Sequence, residues 1–348
     1  MKGTLFPLIA GLGLLYVTQL VGIPGGSFIG AITGGALGGI LYSQSKAPPA
    51  RLQDFARLVL GVSIGVQVNE QTAIAAASSA IPVMLMVISL ITTSLVFAWI
   101  CTRLTGMNIV TSLCGSAPGA ASAMILLADE LKGDSTVVAV IHSIKILFIV
   151  AFMPALTRFF PAGGETMAIT AVVSDTPVIY YTKLAFLIGA SSIAAKLMRK
   201  VRFPTADFLG GLFFAALCNP LFLHLESFPF LVQLFSVWIV GTSIGTQMNR
   251  NSLRAIKKYA FACMILVIGL AVLGLLLGWL LHKFTSIGVL TALIGTCPTG
   301  MDAMIILANE MHTNVPLVAA MHCARVIVVM IVVPLLIRRA MSKKQKTS

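Results

Sequence analysis

Charge is scarce in this chain. Only 10% of its 348 residues are charged, against roughly a quarter in a soluble globular domain. Hydrophobic residues make up 58%. No soluble fold hides that much apolar surface, so lipid is the solvent for most of the chain. Acids are scarcer still: 11 Asp and Glu stand against 24 Lys and Arg, for a net charge of +13. The positives are scattered between apolar runs rather than massed on a polar domain. That argues against a nucleic-acid-binding module and fits cytoplasmic loops obeying the positive-inside rule. Paired cysteines are missing too. Cys101, Cys114, Cys218, Cys263, Cys297 and Cys323 lie in or beside apolar segments without metal-ligand spacing, and they read as buried thiols. Cys297 and Cys323 stand apart only because polar residues lie near them. Strand-like alternation is absent, which disfavours a β-barrel. A phosphate-binding loop, a nucleophile elbow and a His-Glu-x-x-His pair are also absent, so neither an enzyme nor a cofactor is expected.

What is there is a repeat. Residues 111–158 fall on 291–338 without a gap, and Pro118 lands on Pro298, an offset of 180 (298 − 118). By direct count 16 of the 48 positions are identical, too many for chance similarity between apolar stretches. Glu130 falls on Glu310, His142 on His322 and Lys145 on Arg325. The same offset carries Gly61, Gly65, Gln67 and Asn69 onto Gly241, Gly245, Gln247 and Asn249. Pro24, Phe28 and Gly30 fall on Pro204, Phe208 and Gly210. Two related membrane halves are the signature of many secondary transporters.

Each half offers six apolar segments. The first half has Leu5–Val21, Ser27–Tyr42, Phe55–Val68, Pro82–Cys101, Ile109–Leu131 and Val137–Leu156. The second has Tyr181–Leu197, Asp207–Leu223, Leu231–Met248, Phe261–Leu281, Ile287–Met311 and Leu317–Ile337. Met1-Lys2-Gly3-Thr4 before an apolar run imitates a signal peptide. The second half keeps its own copy of that run, so it reads as a retained helix. Loop charge decides orientation. If all six segments spanned, the cluster Lys196, Arg199, Lys200 and Arg202 would sit outside. If the fifth segment of each half is a re-entrant hairpin, each half has five spans and the second half is inverted. Every positive cluster then falls inside, and the acidic linker with Glu165 and Asp175 falls outside. Discontinuous helices that do span are the alternative. The expected fold is therefore an all-α polytopic membrane protein of two inverted repeats, about ten transmembrane helices plus two re-entrant or broken-helix hairpins. Its parts are residues 1–160, an extracytoplasmic linker 161–178, residues 179–340 and a basic cytoplasmic tail 341–348. Both termini are expected in the cytoplasm.

The fifth segments carry the chemistry. Pro118, Gly119 and Ser122 in one, and Pro298, Gly300 and Asp302 in the other, break the helix. Broken backbone at membrane depth is tolerated where it is buried in protein or lines a wet cavity. Freed N–H groups and half-helix N-termini suit anions, and freed carbonyls suit cations. Close helix packing at a kink is the plainer reading. Lys145 and Arg325 sit near the middles of the sixth segments. A central charge costs at least ~2.5–3.5 kcal/mol on insertion scales, so each is expected to face the interior and meet Asp302, Glu130, Glu310 or an anionic solute. An internal ion pair that fixes packing is the alternative. His142 and His322 lie one turn earlier on the same face and titrate in a range that suits proton coupling, for which Glu130 and Glu310 are the other candidates. The glycines at 61, 65, 241 and 245 read as packing positions, and Gln67 and Gln247 as a polar lining.

Residues Gly295–Leu336 carry Pro298-Thr299-Gly300-Met301-Asp302-Ala303-Met304, Glu310, Val318-Ala319-Ala320-Met321-His322, Arg325 and Pro334. Together with Pro24–Gly30 and the duplication, they resemble the AbrB membrane-protein family, which is distinct from the soluble DNA-binding regulator of the same name. The family pattern tends toward Pro-Gly-Gly and a Glu before the Met, where this chain has Pro298-Thr299-Gly300 and Asp302. The resemblance implies a duplicated membrane domain akin to the cation/proton antiporter and anion transporter superfamily. It also brings a label of gene-expression regulator and, for some members, of ammonia monooxygenase. Neither a DNA-reading module nor a copper-ligand cluster stands in the sequence. The expectation is a transporter or exporter of a small, anionic solute in the bacterial cytoplasmic membrane. H⁺ or Na⁺, the bilayer and a second copy of the chain would be its partners, and nucleic acid would not. The alternative is a membrane sensor that regulates gene expression through a partner, docked by the Lys257–Lys258 loop or the C-terminal tail.

Overall fold

The computed structural model describes residues 2–42, 45–119, 121–156, 177–201, 203, 205–225, 228–248, 250 and 259–346. Among these every regular element is a helix. The first half contains α1 (Lys2–Leu20), α2 (Gly26–Leu41), α3 (Ala50–Gly65), α4 (Glu70–Ser78), α5 (Ala80–Thr105), α6 (Ile109–Ser116), α7 (Ala121–Glu130) and α8 (Ser135–Leu156). The second contains α9 (Pro177–Lys200), α10 (Ala206–Cys218, continued by a π-turn over Asn219–Leu223), α11 (Phe230–Thr246), α12 (Ala260–Phe284), α13 (Val289–Thr296), α14 (Met301–Glu310) and α15 (Val315–Lys346). Helices α2, α3, α5, α6, α7 and α8 start 180 residues before α10, α11, α12, α13, α14 and α15 in turn. The short α4 was not foreseen. Its mixed composition carries no spanning signal, and it forms because Asn69 accepts from the Thr72 N–H while Thr72 Oγ1 accepts from the Asn69 N–H, both at 2.9 Å.

Among the described residues, seven helices are long and apolar enough to cross a membrane: Gly3–Leu20, Ala80–Thr105, Ser135–Leu156, Pro177–Lys200, Ala206–Leu223, Cys263–Phe284 and Val315–Leu336. Their outer faces carry exposed Leu5, Ile9, Leu12, Phe186, Ile193 and Trp279, a quantity of apolar surface that only lipid accommodates. The protein is thus a multi-pass membrane protein. In α8 and α15, 61% of each apolar window is buried, against 17% in α1, so α8 and α15 are central and α1 peripheral.

The helices divide into two groups. In one, α2 packs on α1 and α11, and α3 packs on α10, α9 and α11. In the other, α5 packs on α6 and α12, α13 on α12 and α15, and α8 on α6, α7 and α12. Backbone-to-backbone approach holds the first group together. A methyl group at Gly245 would run into the Ile32 carbonyl oxygen, and one at Gly65 into that of Leu212, its counterpart across the offset. Only a residue without Cβ fits either place. Helix α14 packs on α15 in the second group, and the groups meet where α14 touches α2 and α11, where α8 touches α2 and where α15 touches α3.

Candidate functional site

Each fifth segment folds back on itself. The Asn314 N–H, just past α14, donates to Thr291 Oγ1 in the first turn of α13 at 3.2 Å. The Asp134 N–H donates to Thr111 Oγ1 at 2.9 Å in the same way. The two ends of each segment therefore sit together, and the break lies at the far tip. Ala117 and Cys297 adopt extended backbone there, with ψ of 131 and 128, and Pro118 and Pro298 follow. The last carbonyls of α6 and α13 consequently have no helical partner.

The sixth segments supply partners for them. Lys145 Nζ donates to the carbonyls of Gly115 at 2.9 Å and Ala117 at 3.2 Å. Arg325 donates to the carbonyls of Cys297 and Thr299. Both side chains are completely buried. A cation at a helix C-terminus is favoured by the helix dipole as well as by the hydrogen bonds. This departs from the sequence expectation: the partners of Lys145 and Arg325 are hairpin carbonyls, not Asp302, Glu130 or Glu310. A broken helix offers free carbonyls, and among the described residues no acid pairs with either cation.

The histidines continue the same ladder. His142 Nε2 lies 3.0 Å from the Cys114 carbonyl oxygen, and His322 Nε2 lies 3.1 Å from that of Ile294. Each is therefore the nitrogen that carries the hydrogen. His322 Nδ1 accepts from Arg325, so both its ring nitrogens are engaged. His142 Nδ1 has no partner among the described residues. The equivalent residues thus differ, and only His142 keeps an open nitrogen. The two sulfurs near the tips are packed against sulfur, Cys297 on Met153 and Cys323 on Met301, both at 3.9 Å.

Each tip leans on the other half. Cβ atoms built at Gly119 and Gly300 would touch Val329 on α15 and Ile146 on α8. Asp302 lies in the first turn of α14 and pairs with Arg57 of α3, Nε to Oδ2 at 3.1 Å. The sequence reading missed Arg57. Its one signal is an arginine inside the apolar segment Phe55–Val68. The backbone at 122 belongs to α7, and the Ser122 side chain lies outside the described residues.

The other candidates lie apart from the tips. Glu310, at the end of α14, approaches the N-terminus of α2 and accepts from the Phe28 N–H at 3.4 Å. A cavity of about 480 Å³ opens beside it, lined by Gln19, Ser27, Ser63, Gln67, Gln233 and Glu310 among others. Gln67 and Glu310 are thus brought together. Gln247 accepts from Ser143 Oγ at 3.3 Å and ties α11 to α8. Glu130, the counterpart of Glu310, is exposed at the end of α7. No group of three or more His, Cys, Asp or Glu capable of holding a metal stands among the described residues.

Residues 27–341 match the protein family described as "AbrB: Transition state regulatory protein AbrB". The chain is 22% identical over 297 residues to "Uncharacterized protein YhjN" of Bacillus subtilis (strain 168), covering 80% of this chain and 76% of that one. It is also 22% identical over 252 residues to "Putative regulator AbrB" of Escherichia coli (strain K12), covering 70% of each. The match to the family runs through both broken segments and both buried cations, and the chain belongs to the AbrB family.

Proposed function

We propose that this protein is a secondary transporter of a small anionic solute in the bacterial cytoplasmic membrane, built from two inverted repeats. The observation that carries the reading is the pair of folded-back segments whose tips each reach the opposite half. Helices α2, α3 and α11 are shorter than the seven long spans, yet sit among them in the first helix group. Counting them gives ten passes plus two hairpins among the described residues. Five of those passes, α8 to α12, separate the end of the first hairpin from the start of the second. An odd number of crossings puts the two hairpins on opposite faces. Converging hairpins from opposite faces bring half-helix ends together at the midplane, the arrangement that secondary transporters use for a solute.

Electrostatics favour an anion. The negative C-terminal ends of α6 and α13 are already covered by Lys145 and Arg325, so the positive N-terminal ends of α7 and α14 are left to act on a ligand. Asp302 occupies the first turn of α14, whereas the first turn of α7 holds no acid. Coupling falls to H⁺ or Na⁺, with His142 the histidine whose second ring nitrogen has no partner among the described residues. Rocking of one helix group against the other would give alternating access.

The test is a solid-supported-membrane current from proteoliposomes, with protein-free liposomes as the control. Small carboxylates, amino acids, ammonium and Na⁺ are stepped in turn at several pH values. A carboxylate-evoked current in the protein-bearing vesicles is the expected result. Silence across the panel from folded protein overturns the reading. It would favour a membrane sensor acting on gene expression through a partner; the Escherichia coli relative is named "Putative regulator AbrB". Lys257 and Lys258, a docking loop for such a partner, lie outside the described residues.

A further inference from the structure

We infer that Arg57 is the residue that receives the solute's carboxylate and that Asp302 is the group the solute displaces. The inference rests on the transport reading and names the binding group within it. Three buried or partly buried cations reach the hairpins, and they are not alike. Lys145 and Arg325 are 0% exposed, and their terminal nitrogens donate to hairpin carbonyls. They position the tips and are out of a solute's reach. The side chain of Arg57 is 25% exposed, and that of its partner Asp302 is 16%. Arg199 on α9 is held between Asp207 and Asp54, away from the hairpin residues.

The hydrogen bonding of Arg57 is incomplete. Among the described residues only Nε makes a close contact, at 3.1 Å from Asp302 Oδ2. Its two terminal nitrogens have distant acceptors, Gln53 Oε1 at 3.5 Å and Asp54 Oδ1 at 3.9 Å. Gln53 is already committed, accepting from Ser243 Oγ at 2.6 Å and donating to the Pro48 carbonyl at 2.7 Å. The planar end of the guanidinium is therefore open to the two parallel N–H···O bonds that a carboxylate makes best. Asp302 is held by one oxygen alone, and its buried Oδ1 has no partner among the described residues. A group so poorly satisfied is the one most easily replaced by a better-fitting carboxylate.

The pair also spans the two helix groups. Arg57 belongs to α3, and Asp302 to the hairpin half-helix α14. Exchanging Asp302 for a solute frees α14 from α3, so binding at Arg57 acts on the contact that relative motion must break. The offset of 180 places Val237 and Leu234 opposite Arg57 and Asp54, and Ser122 opposite Asp302. The charged pair thus exists once, and a single carboxylate site per chain follows.

Isothermal titration of the full-length, detergent-solubilised protein with succinate tests this, at constant pH and ionic strength. Wild type is expected to bind saturably. Arg57→Gln should weaken binding roughly tenfold to hundredfold, the loss of a charge-assisted pair, and Arg57→Lys should fall between. Asp302→Asn should bind succinate several-fold more tightly, because it removes the competing charge. Affinity unchanged in Arg57→Gln overturns the site, as does an absence of saturable binding in wild type. Should Arg57→Gln fail to fold, unchanged affinity in both Arg57→Lys and Asp302→Asn is equally decisive. Binding that depends on Arg57 in a protein that carries no current would uphold the site and remove the transport reading. Transport that ignores Arg57 would do the reverse.

Discussion

The side-chain nitrogen of Lys145 lies 2.9 Å from the carbonyl oxygen of Gly115, at the broken end of α6. One half later, Arg325 meets the carbonyls of Cys297 and Thr299 at the end of α13. A cation buried at membrane depth is usually explained by an acid or by a substrate. Here the backbone of a folded-back segment is explanation enough. The pairing works in both directions, because carbonyls freed at Pro118 and Pro298 would otherwise stand unsatisfied in an apolar interior.

Arg325→Ala tests that exchange. It strands two buried carbonyls and leaves a cavity, so a loss of about 2–5 kcal/mol is expected. Arg325→Lys, which can still reach one carbonyl, should lose less. Thermal unfolding in detergent ranks the two. A melting temperature for Arg325→Ala equal to that of wild type would show that the hairpin tip stands without its cation.

The glycine contacts between helices give a second expectation. Gly245→Ala and Gly65→Ala drive a methyl into a facing carbonyl oxygen, and each should destabilise the protein by about 1–3 kcal/mol. Gly13 lies in the same helix group, but a Cβ there would meet nothing within 4 Å. Gly13→Ala should be neutral or gain about 0.5–1 kcal/mol, as Ala suits a helix interior better. Equal effects at all three positions would contradict this packing.

Glu310 and Glu130 separate a structural role from a shared ancestry. The N-cap residue of α2 is Gly25, which supplies no side-chain acceptor, and the Glu310 carboxylate stands in for one. Glu310→Ala should cost about 0.5–2 kcal/mol, the usual value of a cap and of an acid at a helix N-terminus. Glu130→Ala, at an exposed position, should fall within about 0.5 kcal/mol of wild type. Parallel melts of the two variants decide it.

Much of this architecture is legible in the sequence because the physics that writes it is local. Helix breaks at Pro118 and Pro298, apolar runs of spanning length and glycines four apart each leave a mark within a few residues. The ladder from α8 and α15 to the hairpins was half legible. His142 and Lys145, like His322 and Arg325, were seen to share one helix face, but which groups they meet depends on how the fifth segment folds. Arg57 was the main omission. Hydropathy discards a charged turn, so α3 appeared to begin at Phe55 when it begins at Ala50. Its partner Asp302 lies 245 residues away, on an element whose depth no local pattern records. The role of Glu310 escaped notice likewise, because the need for it arises at Gly25 on another helix.

The central claim is that the two hairpins enter from opposite faces of the membrane. Lys132 and His312, each exposed beside the turn that closes a hairpin, are the positions to measure. Each is replaced by cysteine, one at a time, in a chain whose native cysteines are replaced by alanine. Intact cells are then treated with a membrane-impermeant thiol reagent before and after permeabilisation. Labelling of His312→Cys in intact cells, with Lys132→Cys labelled only after permeabilisation, is the predicted result. Labelling of both from the same face would contradict the inverted repeat and the transport reading built on it.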